Sequence, residues 1–200
     1  MGDILARQAK PKQRAATAVV VLASVVVAAG VAWSIVGQKN RGQSNTSEKT
    51  DATSAQLGPS GLPIPRFVTL KAEKVNVRKG PSSDHPVAWV FQSKGLPVEI
   101  IAEFETWRRV RDSDGAEGWI LQNMLSGKRN MLIAPWRKNQ LTALHTSASN
   151  QSGLAANLSS GAMGEIKSCD GNWCTVTIGG YSGYVEQSML WGAYPGEVVN

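Results

Sequence analysis

GLPVEIIAEFETWRRVRDSDGAEGWILQNML, residues 95–125, and GAMGEIKSCDGNWCTVTIGGYSGYVEQSML, residues 161–190, are two copies of one pattern. At an offset of 66, Gly95, Glu99, Ile100, Trp107 and Val110 meet Gly161, Glu165, Ile166, Trp173 and Val176. After one deletion, Gly118, Gln122, Met124 and Leu125 meet Gly183, Gln187, Met189 and Leu190, and Trp119 meets Tyr184, an aromatic for an aromatic. An ordered series of this length is an internal repeat, and it places a first unit at 66–127, a connector at 128–140 and a second unit at 141–192, with a tail at 193–200.

Within the first unit, apolar and polar residues alternate in short runs, which predicts strands at 74–78, 87–92, 97–104, 106–111 and 118–121. Between them lie turn clusters, Gly80-Pro81-Ser82-Ser83-Asp84 and Ser113-Asp114-Gly115, in which Gly supplies positive φ, Pro presets φ and Asp closes the local backbone. No run supports a long helix. The fold class is therefore all-β, with no single large core.

Outward from the repeat, composition agrees: 42% apolar and 18% charged residues, with 7 Trp against 3 each of Tyr and Phe, and 20 Gly with 9 Pro. That is globular and turn-rich. The net charge of +6 invites a nucleic-acid partner until it is divided. Residues 1–66 carry 8 Lys/Arg against 3 Asp/Glu, whereas residues 67–200 carry 13 against 12. The folded part is nearly neutral, its one basic group is Lys128, Arg129, Arg137 and Lys138, and no nucleic acid is expected as a partner.

The amino end belongs to a membrane or a translocon. Residues 15–36 are uncharged, follow Arg7, Lys10, Lys12 and Arg14, and precede Lys39 and Arg41. As a helix they span roughly 33 Å, against a hydrocarbon core of roughly 30 Å. Residues 1–36 read as a basic leader with a hydrophobic helix. It either stays as an anchor in the inner membrane or is a signal peptide cut before Trp33, and the charge bias exports the carboxyl portion in both cases. Residues 37–65, polar and Ser/Thr-rich, read as a flexible, disordered linker.

The first unit resembles the bacterial SH3-like (SH3b) domain. Val75-Asn76-Val77-Arg78-Lys79-Gly80-Pro81-Ser82 is similar to that family's N-V-R-x-G-P-S opening, Trp107-Arg108-Arg109-Val110 to its W-x-x-V strand, and Asp114-Gly115-Ala116-Glu117-Gly118-Trp119-Ile120 to its D-G-x-x-G-W hairpin. The second unit departs, with Ala143-Leu144-His145-Thr146 at the opening and Tyr184 for the late Trp. The resemblance implies two small, partly open barrels in tandem, each a non-catalytic module that binds cell-wall peptide, peptidoglycan or an envelope protein from a periplasmic position. Such small units rely on large aromatics for buried area.

Asn76, Arg78, Trp107 and Trp119 are the candidate ligand-binding residues. The rings can serve as core or as a groove, and Asn76 and Arg78 can point outward to a peptide carboxylate or brace a turn. Strand alternation puts Trp107 with Arg109 on one face and Arg108 with Val110 on the other, so one face meets solvent or the neighbouring unit. Cys169 and Cys174 align with Glu103 and Arg108 on two strands joined by a tight turn, where an exported chain forms a disulfide. No metal or cofactor is expected, because two cysteines without a neighbouring His leave a zinc site half built.

Signatures of catalysis are missing from the sequence. His85 and His145 are the only histidines, neither sits in H-E-x-x-H, and Gly180-Tyr181-Ser182-Gly183 is one residue short of a nucleophile elbow. Glu99 and Glu165 recur by position, which suggests placement on a strand surface. The expected protein is not an enzyme; the alternatives are an accessory or cryptic wall hydrolase and a structural subunit of a protein assembly.

Overall fold

The computed structural model describes residues 56–200; the hydrophobic helix expected at 15–36 and most of the expected linker lie outside the described residues. Within them, no helix is long and apolar enough to cross a membrane. The described residues are all-β, apart from 3-10 turns at Gln122–Met124 and Gln187–Met189.

The strands are β1 (Gln56–Leu57), β2 (Pro63–Ile64), β3 (Arg66–Leu70), β4 (Val75–Arg78), β5 (Val87–Phe91), β6 (Pro97–Phe104), β7 (Trp107–Arg111), β8 (Glu117–Leu121) and β9 (Leu125–Ser126), followed by β10 (Asn130–Ile133), β11 (Leu141–His145), β12 (Leu154–Ser159), β13 (Met163–Asp170), β14 (Trp173–Ile178), β15 (Tyr181–Glu186), β16 (Leu190–Trp191) and β17 (Val198–Val199). The first sheet runs β5-β4-β8-β7-β6-β3-β9 and the second β12-β11-β15-β14-β13-β10-β16, the same order strand for strand. Each curls into a half-barrel.

Alternation sets the inner faces. Val75 and Val77 of β4, Val110 of β7 and Ile120 of β8 point inward and are at most 1% exposed; in the second barrel Leu144, Val176 and Val185 do the same. Each such side chain contributes roughly 1.5–3 kcal/mol by leaving water. The repeated glycines have two separate causes. Gly95 and Gly161 sit in the turns that lead into the long strands β6 and β13, with φ of +87° and +77°. Gly118 and Gly183 have no room for a side chain, since a Cβ would run into Val77 in one barrel and the His145 backbone in the other.

Three segments differ from the sequence expectation. Residues 130–133 fall in the expected connector yet form β10, hydrogen-bonded to β13 and β16, because Met131 and Ile133 bury completely in the second core. The carboxyl end of the expected linker folds as the β1–β2 hairpin. Residues 193–200, expected as a tail, bury Ala193 and add β17 alongside Cys169 and Asp170 of β13.

The two barrels touch directly. Phe67 of β3 lies between the rings of Trp191 (centroids 5.0 Å apart, edge-on) and Tyr194 (4.7 Å). The Tyr194 hydroxyl donates to Glu99 Oε1 at 2.8 Å, Trp191 Nε1 to the Pro97 carbonyl at 3.2 Å and Asn130 Nδ2 to the Gly95 carbonyl at 2.7 Å. Burial and the facing Glu99 carboxylate push the Tyr194 hydroxyl pKa up, so it stays a donor. Glu99 is buried in this junction instead of on a free strand surface, while its repeat partner Glu165 stays near solvent, paired with Lys128 and Lys167.

Candidate functional site

The outward side of β4, β8 and β7 carries the candidate ligand residues. Across these strands Arg78 is opposite Trp119, Trp119 opposite Arg109, and Trp107 opposite Leu121. With Asn76 two residues from Arg78, all of them stand on the face opposite Val77, Val110 and Ile120. The choice left open by the sequence, which face of β7 is dry, is thus decided by the inward side chains of Val110 and Arg108.

Asn76, Arg78 and Trp107 share one depression of about 270 Å³ with Lys74, Leu121 and Met124. Trp119, half-buried, stands beside it on the same face and is not part of its lining. Trp107 is 8% exposed, so it serves as the floor of the depression and as part of the packing at once. Arg78 Nη1 donates to the His85 carbonyl at 2.6 Å and braces the turn at 79–86, leaving its other nitrogens without a protein partner among the described residues. Neither Lys74 nor Arg78 forms an ion pair among the described residues, whereas Arg109 and Arg111 on β7 are both held by Glu117. The basic side of this face is thus open to an anion.

Behind it, Arg108 points inward and is neutralised. Glu103 Oε1 takes Arg66 Nη2 at 2.6 Å and Arg108 Nε at 3.1 Å, while the Ser60 backbone N–H donates to its Oε2 at 2.9 Å and the Ser60 hydroxyl to Oε1 at 2.8 Å. The Glu103 side chain is 1% exposed. Burial alone would raise its pKa, but the donors from Arg66, Ser60 and Arg108 outweigh burial and lower it from 4.5 to about 2. This carboxylate ties the β1–β2 hairpin to the first barrel.

At the aligned position of the second barrel stand Cys169 and Cys174, directly opposite on β13 and β14 and joined as a disulfide. Two cations of the expected connector are likewise engaged in ion pairs. Arg129 makes a two-pronged pair with Glu197 (2.7 and 2.9 Å) and Lys128 pairs with Glu165. Against the effect of burial, that Arg129 pair keeps the Glu197 carboxyl below its ordinary range.

Sequence reasoning missed the wide cleft of about 720 Å³ at the junction, where Pro63 and Pro65 meet Arg66, Arg108, Arg129 and Tyr194. Most of its lining is first-unit residues, but it is completed by Pro63 and Pro65 of the expected linker, Arg129 of the connector and Tyr194 and Glu197 of the tail, three segments that carry no period of their own. It also missed that the repeat duplicates the depression. In the second barrel Leu141, Thr142, Ala143, His145, Glu186 and Met189 line a hollow of about 160 Å³ at the place of Lys74, Val75, Asn76, Arg78, Leu121 and Met124. Position-by-position comparison of the two copies is the signal that finds it.

Two small all-β half-barrels of identical strand order, joined in tandem, define the class. The chain belongs to the bacterial SH3 domain family, which matches residues 71–127 and 138–192, together more than half of it. Among solved structures it is similar to NlpC2 from Trichomonas vaginalis (13% identity over 64% of this chain and 48% of that one, TM-score 0.30). NlpC1 from the same organism is similar at 14% identity over 63% and 45%, with a TM-score of 0.29. An NlpC/P60 family protein from Bacillus cereus ATCC 10987 gives 11% over 62% and 55%, with a TM-score of 0.28. The chain spans about half the length of these proteins, and likeness at this level carries no argument about activity. No curated protein matches the chain.

Proposed function

We propose that the protein is a non-catalytic binding module of the bacterial cell envelope, exported by its amino-terminal segment, and that its first barrel recognises a carboxylate-bearing wall peptide. One observation carries this reading: Lys74 and Arg78, without acidic partners among the described residues, flank the depression floored by Trp107. A peptide carboxylate takes charge-assisted hydrogen bonds from Arg78 and Lys74, the Asn76 amide bonds the adjoining peptide group, and the apolar part of the ligand lies on Trp107 with Trp119 at the rim. In this arrangement binding needs no proton transfer and no nucleophile.

The test is co-sedimentation of the full-length chain with purified peptidoglycan. The wild type is expected in the pellet, and the Lys74→Ala/Arg78→Ala variant is expected to bind about tenfold more weakly or worse, the worth of one charge-assisted bond or more. Equal sedimentation of the two contradicts the site. Clearing of wall material by the purified chain in a zymogram contradicts the non-catalytic reading. Cross-linking to an envelope protein without any affinity for wall replaces the wall ligand by a protein partner.

A further inference from the structure

We propose that the outward face of the second barrel is a binding site of opposite preference, taking a primary ammonium group, such as a lysine-type side chain or a peptide amino terminus, on Glu186 beside Trp173. The proposal stands on its own observations and does not need the carboxylate reading of the first barrel.

The duplicated strands let the two faces be compared residue by residue. His145 is opposite Tyr184 as Arg78 is opposite Trp119, and Trp173 is opposite Glu186 as Trp107 is opposite Leu121. Leu141 thus stands for Lys74, Ala143 for Asn76, His145 for Arg78, Thr175 for Arg109 and Glu186 for Leu121. Every lysine and arginine of the first face has gone, and a carboxylate has arrived where the first face is apolar. The aromatic positions persist as Trp173 and Tyr184.

Glu186 forms the ridge between the hollow of about 160 Å³ and a larger depression of about 560 Å³. In the larger one it is joined by Trp173, Asn172, Ser188 and Pro195, and it is the one ionisable side chain of that lining. A volume of this size suits a small polar ligand. Asn150 Nδ2 donates to Glu186 Oε1 at 2.6 Å, which orients the carboxylate and leaves Oε2 without a partner among the described residues. No ion pair to Glu186 exists among the described residues. Arg137, which also lines the smaller hollow, is directed to Gln140 Oε1 at 2.8 Å and to Met189 Sδ at 3.4 Å.

The geometry selects the ligand chemistry. With Oε1 oriented by Asn150, Oε2 is open to the ligand, and a compact ammonium meets it with a charge-assisted hydrogen bond. A hard metal ion needs six or more oxygen ligands, and the lining offers one carboxylate. The Trp173 ring is held edge-on by His145, centroids 5.5 Å apart, so its position is fixed before a ligand arrives. Its face attracts a cation, and the alkyl stem of a lysine-type group packs along Trp173 and Pro195.

The experiment titrates the full-length chain with Nα-acetyl-lysine N-methylamide, whose only charge is the side-chain ammonium, and follows the Trp173 indole N–H signal by NMR. A saturable shift is expected with this probe and none with its Nε-acetylated twin. Glu186→Gln is expected to weaken binding about tenfold, while Lys74→Ala/Arg78→Ala leaves it unchanged, so the two sites fail separately. An equal response to the acetylated twin, or undiminished binding by Glu186→Gln, overturns the proposal. Should Glu186→Gln fail to fold, the comparison of the two probes on the wild type decides alone.

Discussion

The far ends of the two long hairpins, β6–β7 and β13–β14, present the same mechanical problem and solve it with different chemistry. In the first barrel the facing pair is Glu103 and Arg108, an ion pair reinforced by Arg66 and Ser60; in the second it is Cys169 and Cys174, a covalent bond. Each is also covered by a segment from outside the repeat, the β1–β2 hairpin over Glu103 and β17 along Cys169. The comparison teaches that the fold fixes where a fastener must sit and leaves its chemistry free. On the outward faces the same freedom has exchanged cations for a carboxylate.

The comparison breaks hardest at Glu103. Glu103→Ala leaves Arg66 and Arg108 with no counter-charge at a buried site, a loss of about 3–5 kcal/mol expected in urea denaturation. A cost below that of removing the disulfide contradicts the hub role. Acid should act through the same group. Because its folded pKa lies near 2 and its ordinary value is 4.5, its stabilisation is complete above about pH 4.5 and fades as pH falls towards 2. Glu103→Gln should flatten that part of the stability profile, and an unchanged profile refutes the assignment.

Removing the disulfide, as Cys169→Ala/Cys174→Ala, is expected to cost about 2 kcal/mol, the low end of the usual range, because the loop it closes is short. Thermal unfolding of the oxidised and substituted chains measures it. The smallest effect is at the turns themselves. Glu105 has φ of +46° where the second barrel has Gly171 at +102°. Glu105→Gly is expected to stabilise the chain by about 1 kcal/mol, read as a raised Tm, since only the first turn holds a side chain in the left-handed region. A lowered Tm removes the argument.

The strands at 75–78, 97–104 and 107–111 were legible to within a residue or so because apolar and polar residues alternate in their sequences, even where, as at Pro97 to Ile100, both faces are buried. The repeat made the shared strand order legible as well. Met131 and Ile133 were hidden beside Lys128 and Arg129, and four residues are too few to display a period. Ser60 and Tyr194 were illegible for another reason: the side-chain contacts that hold them to the first barrel reach carboxylates more than 40 residues away, Glu103 and Glu99. Asn76, Arg78 and Trp107, which line one depression, could be named as candidates because they sit in the recognisable copy. Glu186 could not, because the departures of the second copy read as loss until the register put it opposite Trp173.

The most direct test of the account is a titration of the full-length chain with two probes that differ in one charge, acetyl-alanyl-alanine with a free carboxylate and the same dipeptide as its amide, followed by NMR at the Trp107 indole and the Arg78 guanidinium. The account predicts a saturable shift of both signals with the acid and none with the amide, with Trp173 unmoved. Equal shifts with both probes, or a response at Trp173 in place of Trp107, would contradict it.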